Sequence, residues 1–280
     1  MRTKEEDIVV DSFITSTHDY IMFFTNHGKV FWLKGYKIPE GGRHHKGKAI
    51  INLLPRLEEG EYVETAIPIK EFDNDHYLIF STLKGIIKKT VLSAYSNIRV
   101  NGILAIKLDK GDELISTKLS DGKQNIIIAT SNGQACRFYE EEIRPIGRVT
   151  RGVKGIRLGK NDKVVSMAVV EEEENLLTIT ENGYGKRSPI KTYRKTHRGS
   201  KGVKTIITNE RNGKVLYVRE ASDNDEIILA TKNGMIVRVP VKDIRIQGRN
   251  TMGVTIMKLN KGDKVVSVAK IMENNNQISN

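Results

Sequence analysis

The sequence of 280 residues has one cysteine, six prolines and one tryptophan. With Cys136 alone, an internal disulfide framework and a multi-cysteine zinc site are excluded, and a single thiol fits a reducing compartment. No apolar run approaches the roughly 20 residues that a membrane-spanning helix needs. The first ten residues, MRTKEEDIVV, are too acidic and too short in apolar residues for a signal peptide. The phosphate-binding pattern G-x-x-x-x-G-K-[ST] is absent. Acid is also in deficit, with 34 Asp+Glu against 46 Lys+Arg and a formal net charge of +12. At 38% hydrophobic the chain can still bury a core. The expectation is a soluble, cytoplasmic chain with no membrane partner, whose basic balance points to a polyanion, nucleic acid being the commonest.

What is present is a repeat. An apolar run, two or three polar residues and a glycine recur as IMFFTNHG, LIFSTLKG, IIIATSNG, LLTITENG and IILATKNG, ending at Gly28, Gly85, Gly133, Gly183 and Gly234. These glycines are 57, 48, 50 and 51 residues apart. A second glycine follows each, at Gly47, Gly102, Gly152, Gly202 and Gly253, with spacings of 55, 50, 50 and 51. Two ladders with one period define five units. Four units also carry a closing turn, KGDEL, KNDKV, RNGKV or KGDKV.

Each unit holds four short apolar segments, in the third IIIAT, QACRF, VKGIRL and VVSMAVV. β-Branched residues and Asn-Gly or Gly-Asp turns make them strands, and Asn-Gly suggests a tight type I′ hairpin between the first two. The longer polar connection that follows has room for a helical turn. Four strands per roughly 50 residues predict an all-β, propeller-like ring of four-stranded blades. Five complete repeats fit. KEEDIVVDSFI, before the first, reads as the end of a partial first blade, so the expected domain runs over 1–271 with a flexible polar tail at 272–280. A ring closed by the complete blades and an open arc with an unpaired edge are both compatible with the pattern.

Cations sit at fixed places in the repeat. Four residues after the hairpin glycine stand Lys89, Arg137, Arg187 and Arg238, with Trp32 in the first unit. A solvated strand face would explain them, although such a face ordinarily mixes Glu with Lys. Before the second glycine the connections read GGRHHKG, IGRVTRG, THRGSKG and QGRNTMG. They place Arg43, Arg148, Arg198 and Arg249 in register, followed by Lys46, Arg151 and Lys201, and the second unit has Arg99 one residue late. Lys48, Lys88, Lys154, Arg194 and Lys204 flank these positions and complete the candidate set. On a ring of blades the loops would form a basic belt, suited to phosphates and indifferent to base sequence.

STHDYIMFFTNHGKVFWLKGYKIPE, INLLP, KKTVLS, RGVKGIRLGKNDKVVS, NGYGKR and GRNTMGV resemble the C-terminal domains of DNA gyrase A proteins, in order over residues 3 to 271. The equivalent domain of topoisomerase IV is the nearest rival. The resemblance implies a β-pinwheel, a ring whose blades exchange strands, and a non-catalytic role in binding and wrapping duplex DNA for an ATP-dependent topoisomerase. It further implies a nucleoid-associated location and, as partner, the gyrase catalytic core formed by the rest of the gyrase A protein and by the gyrase B protein. ATP and Mg are implied only in the assembled enzyme, with no cofactor in this chain and a monomer in isolation. The family's box, Q-R-R-G-G-K-G, has no complete copy. Arg43, Lys46 and Gly47 match three of its positions, as do Gln247, Arg249 and Gly253. The family places the full box ahead of the residue where this chain starts, which puts full wrapping in question more than binding.

No catalytic constellation emerges. None of the nine tyrosines follows an arginine, and Tyr193 precedes Arg194. Adjacent His44 and His45 would point to opposite faces of a strand. Asp112, Asp162 and Asp263 recur as turn residues, and Cys136 reads as a buried thiol. The other classes left open are a stand-alone architectural DNA-binding protein and a propeller that binds protein.

Overall fold

The computed structural model describes residues 13–41, 48–54, 57–97, 99 and 101–271. The first repeat forms β1 (Tyr20–Thr25), β2 (Lys29–Lys34) and β3 (Val63–Ile69). The second forms β4 (Tyr77–Thr82), β5 (Ile86–Val91), β6 (Ile103–Leu104) and β7 (Leu114–Ser120). The third forms β8 (Asn125–Thr130), β9 (Gln134–Tyr139), β10 (Val153–Lys154) and β11 (Val164–Val170). The fourth forms β12 (Asn175–Thr180), β13 (Tyr184–Pro189), β14 (Val203–Lys204) and β15 (Val215–Ala221). The fifth forms β16 (Glu226–Thr231), β17 (Ile236–Pro240), β18 (Val254–Thr255) and β19 (Val265–Ile271).

The sheets are antiparallel and follow one plan. The first strand of each hairpin lies in the middle, flanked by its hairpin partner and by the long closing strand of the same repeat. The short strand crosses over. β6, β10, β14 and β18 pair with β2, β5, β9 and β13, each in the sheet of the preceding repeat. Among the described residues four sheets therefore have four strands, and the fifth, β17-β16-β19, has three. The long strands β3, β7, β11, β15 and β19 meet in that order, so each blade packs against the next as in a propeller. The partial first blade and the tail expected at 272–280 lie outside the described residues, apart from Phe13 and Ile14, which are exposed.

Each hairpin turn begins at a threonine, whose carbonyl accepts from the glycine three residues on, as in Thr130 and Gly133 at 3.0 Å. The glycine alone takes positive φ. Asn161 is the one described non-glycine residue with φ above zero, so Asn132 and Asn182 do not form the type I′ turn expected from Asn-Gly. The structure instead fits a longer turn closed by a glycine in the left-handed region. A 3-10 turn follows every hairpin, at Gly35–Lys37, Leu92–Tyr95, Glu140–Glu142, Ile190–Thr192 and Val241–Asp243. Among the described residues no helix is long and apolar enough to cross a membrane.

The core lies between blades. Met22 and Phe24 of the first repeat pack with Leu78, Phe80, Tyr95 and Ile106 of the second. Ile156 joins Ile79 and Ile87 with Ile128 and Phe138. The crossing segment thus supplies both a strand and an apolar plug, which ties neighbouring repeats into one core.

Candidate nucleic-acid interface

After its 3-10 turn, each basic connection runs onto the preceding blade before entering the crossing strand. Ile146 N–H donates to the Lys89 carbonyl at 2.9 Å, Thr196 N–H to that of Arg137 at 2.8 Å, and Gln247 N–H to that of Arg187 at 2.8 Å. Further along, the carbonyls of Thr150, Ser200 and Thr251 accept from Lys107, Arg157 and Ile207 at 3.1, 2.9 and 2.9 Å. Loops 146–152, 196–202 and 247–253 are therefore held in equivalent places on successive blades.

The loop arginines expected to face phosphate share that work with the fold. Arg198 Nε donates to the Glu142 carbonyl at 3.1 Å and Nη1 to that of Lys154 at 3.3 Å. Arg249 repeats this one blade on, to the Thr192 carbonyl at 2.7 Å and that of Lys204 at 2.9 Å. Both are half-buried, and each keeps three of its five N–H donors beyond these two bonds. Arg148 is half-buried in the equivalent loop. Arg151 is exposed and forms a bidentate pair with Asp109, at 2.7 Å from Nε and from Nη2, which holds the Asp109 carboxyl below its usual range. Lys48, Arg99, Lys154, Arg194, Lys201, Lys204 and Arg238 are exposed. Arg43 and Lys46 lie outside the described residues.

Four of the expected contact residues are inside the protein. Lys88, Lys89, Arg137 and Arg187 are at most 4% exposed. Adjacent strand residues point to opposite faces, and here a neighbouring element covers each face. Arg137 donates to the carbonyls of Ile190 at 3.1 Å and Tyr193 at 3.3 Å and pairs with Glu172 at 2.9 Å. Arg187 donates to the Ile244 carbonyl at 2.7 Å and pairs with Asp223. Lys89 lies 3.4 Å from the Glu140 carboxylate. All three reach the 3-10 turn region of the next blade. They are clamps between blades, and the surface they were expected to furnish is occupied by protein.

The residue before each clamp latches the basic loop. Lys88 Nζ donates to the carbonyls of Ala105, at 2.8 Å, and Arg148. Lys186 Nζ donates to those of Gly248 at 2.6 Å and Arg249 at 2.7 Å. Cys136 fills the same place in the third repeat, buried, with Sγ 3.1 Å from Ser200 Oγ. Burial, with the nearby loop arginine, pushes Lys88 down to about 7 and Lys186 down to about 8.

Further exposed cations line the same loops. Arg144 and Arg245 occupy the repeat position of Arg194, and Lys107, Arg157 and Lys258 each stand five residues after a second glycine. Their recurrence is legible in the sequence, but it falls outside the loop motif that defines the candidate set. The turn aspartates behave as expected. Asp112 accepts from the Thr82 hydroxyl at 2.7 Å, Asp162 from that of Ser131 at 2.9 Å, and Asp263 from the Asn233 N–H at 3.1 Å. Tyr193 is 1% exposed, with its hydroxyl 2.6 Å from Thr205 Oγ1. His27, Glu58 and Glu61 come together at metal-ligand spacing, but Lys29 Nζ sits 2.6 Å from Glu58 and 3.5 Å from Glu61 and supplies the counter-charge.

Comparison with known proteins follows the blades. A family model described as DNA gyrase C-terminal domain, beta-propeller, matches residues 19–70, 76–121, 124–171, 174–221 and 225–272. The DNA gyrase A protein of Halalkalibacterium halodurans is 54% identical over 271 residues, 97% of this chain and 32% of that protein. The gyrase A protein of Clostridium acetobutylicum is 47% identical over 277 residues, 99% of this chain and 33% of that protein. The chain spans about a third of the length of these relatives. Among solved structures, the C-terminal domain of DNA topoisomerase IV superposes with a TM-score of 0.84 at 29% identity, covering 91% of this chain and 80% of that one. The DNA gyrase A C-terminal domain gives 0.78 at 28% identity, covering 92% and 84%.

Proposed function

The chain belongs to the DNA gyrase C-terminal domain family, and from that premise we propose that it binds duplex DNA through its basic loops and bends it, without reading base sequence, in the service of gyrase. The observation that carries this is the equivalence of loops 146–152, 196–202 and 247–253, each held on the blade before it and each with an arginine in register, Arg148, Arg198 and Arg249, with Arg151 and Lys201 exposed in the first two.

A duplex presents one charge per about 1.7 Å of axis, so cations repeated blade by blade meet phosphates continuously along a curved path. Such contacts fix the position of the duplex and leave the bases unread. Bending a 20–30 bp site by 40–90° costs on the order of 1–6 kcal/mol, which many phosphate contacts together offset. The contact set is Arg99, Arg151, Lys154, Arg194, Lys201 and Lys204 with the free donors of Arg148, Arg198 and Arg249, joined by Arg144, Arg157 and Arg245. The rest of the gyrase A protein and the gyrase B protein are the proposed partners. ATP and Mg belong to the assembled enzyme.

Binding of a labelled 40-bp duplex across a salt series tests the proposal. A steep linear fall of log affinity with log salt, the same for unrelated sequences, is expected. A flat response contradicts it.

A further inference from the structure

Each basic loop touches the crossing segment of the preceding repeat at one repeated place. The N–H groups of Lys107, Arg157 and Ile207 donate to the loop carbonyls of Thr150, Ser200 and Thr251. The same register, two residues beyond each donor and one beyond each acceptor, gives three equivalent pairs: Asp109 with Arg151, Gly159 with Lys201, and Asn209 with Met252. Their chemistry differs. Arg151 grips the Asp109 carboxylate side-on, with Nε and Nη2 each at 2.7 Å. Gly159 brings no carboxylate to exposed Lys201, and no described atom lies within 4 Å of its Cβ position. Asn209 Nδ2 lies 2.9 Å from Met252 Sδ, so the third pair has no cation at all.

The Asp109 carboxylate occupies a place built for an anion. The hydrogen bonds from Arg151, then the charges of Arg151, Lys84 and Lys107, hold it below its usual range. Lys84, in the turn between β4 and β5, is itself placed by a bond from its Nζ to the Lys110 carbonyl at 2.6 Å. All of this lies at the surface: the Arg151 and Asp109 side chains are 53% and 42% exposed, and Lys84 and Lys107 are exposed too. A guanidinium edge with two parallel donors fits phosphate as it fits carboxylate. In loop 146–152 that edge is already taken by the protein's own anion.

We propose that Arg151, Lys84 and Lys107 form a site for one phosphate of the duplex backbone, and that Asp109 fills this site in the free chain and yields it when DNA binds. Given the DNA-binding role proposed above, on which this rests, contact at this loop is then conditional. Arg151 exchanges a carboxylate for a phosphate, whereas Lys201 in the next loop meets phosphate with no exchange. An exposed ion pair is weak enough to be given up in this way. The freed carboxylate takes up a cation from solution, which offsets the counterion that the bound phosphate releases. Asp109 therefore lowers both the affinity for DNA and its dependence on salt.

Binding of a labelled 40-bp duplex over a salt series tests this in the full chain with Asp109→Asn, Arg151→Ala and the double variant. Asp109→Asn keeps the side chain's shape and removes the competing charge. It is expected to tighten binding about 2–5-fold and to steepen the fall of log affinity with log salt by about 1. In the Arg151→Ala background the same substitution is expected to give a clearly smaller gain. An equal or larger gain there, which the mere loss of a negative charge near the duplex would produce, overturns the proposal. So does unchanged binding by Asp109→Asn, and so does weaker binding, the mark of a carboxylate that aims Arg151 at DNA. The unsubstituted chain separates the two failures. If it does not bind the duplex, the DNA-binding reading falls and the proposal with it; if it binds and Asp109→Asn gains nothing, the role of Asp109 falls alone.

Discussion

Lys186 Nζ donates to the carbonyl oxygen of Arg249 at 2.7 Å, so the lysine of one blade fixes the backbone of the arginine that the next blade presents. Lys88 holds Arg148 in the same manner, two repeats earlier, with Cys136 at the position between them. Lys186→Met fills the space while leaving two loop carbonyls without their donor. It is expected to cost about 1–3 kcal/mol in urea unfolding. Hydrogen exchange should rise at Thr251 and Met252, with the hairpin β12–β13 unaffected.

The same lysines set a pH dependence. Their folded values, about 7 for Lys88 and about 8 for Lys186, lie below the ordinary lysine value because burial disfavours the charged form. Between those values and about 10.4 the unfolded chain binds the proton and the folded chain does not. Stability must therefore rise with pH across that window, and this contribution is lost as pH falls through the folded values. Unfolding curves at pH 7, 8.5 and 9.5 should show the rise in the unsubstituted chain and a smaller one in the double variant Lys88→Met, Lys186→Met.

Glu64 gives an effect of opposite sign. Burial and the facing Glu113 push its carboxyl up to about 7. From about 4.3, the usual glutamate value, to 7 the folded state holds a proton that the unfolded state releases. Its contribution is full below that window and is lost as pH rises through 7. Glu64→Gln should flatten this part of the stability profile between pH 5 and 7.5.

Clamps and contacts separate by assay. Arg187→Met removes the buried donor to the Ile244 carbonyl and a pair to the exposed Asp223, and is expected to cost about 1–3 kcal/mol while leaving the salt slope of DNA binding unchanged. Arg194→Ala and Lys201→Ala change exposed side chains. Each should leave stability within about 0.5 kcal/mol and reduce the magnitude of the slope by about 1.

Two turn glycines distinguish a turn packed against the next repeat's crossing segment from one with no described neighbour. Gly133 has φ +77°, and an added Cβ would stand 2.3 Å from the Ile206 carbonyl oxygen, so Gly133→Ala carries backbone strain and a collision of at least about 2 kcal/mol together. Gly234 has φ +82° with no described atom within 4 Å of its Cβ position. Gly234→Ala carries the backbone strain alone, about 1 kcal/mol. Thermal unfolding of the two variants reads the difference.

The glycine ladder and β-branched runs made the hairpins, the five repeats and the propeller arrangement legible in the sequence, because these follow from local turn chemistry and period. The turn type did not, since Asn-Gly says nothing of the threonine three residues before the glycine whose carbonyl closes the turn. The burial of the four strand cations has a longer-range cause that the local pattern does not show. Lys88 and Arg187 look like solvent-facing strand residues until the strand exchange lays the next repeat's loop and turn over them. The loop arginines are legible as a recurring set, but their bonds to carbonyls of the preceding blade depend on a neighbour some 50 residues away.

Ligation of nicked circular DNA over a titration of the chain, followed by protein removal and measurement of linking number, tests the proposed bending most directly. A linking number that shifts progressively with bound protein is the expected result, showing that the latched loops hold a duplex on a curved path. Salt-sensitive binding with no shift at saturation would contradict it, since the loops would then hold phosphates without bending the DNA.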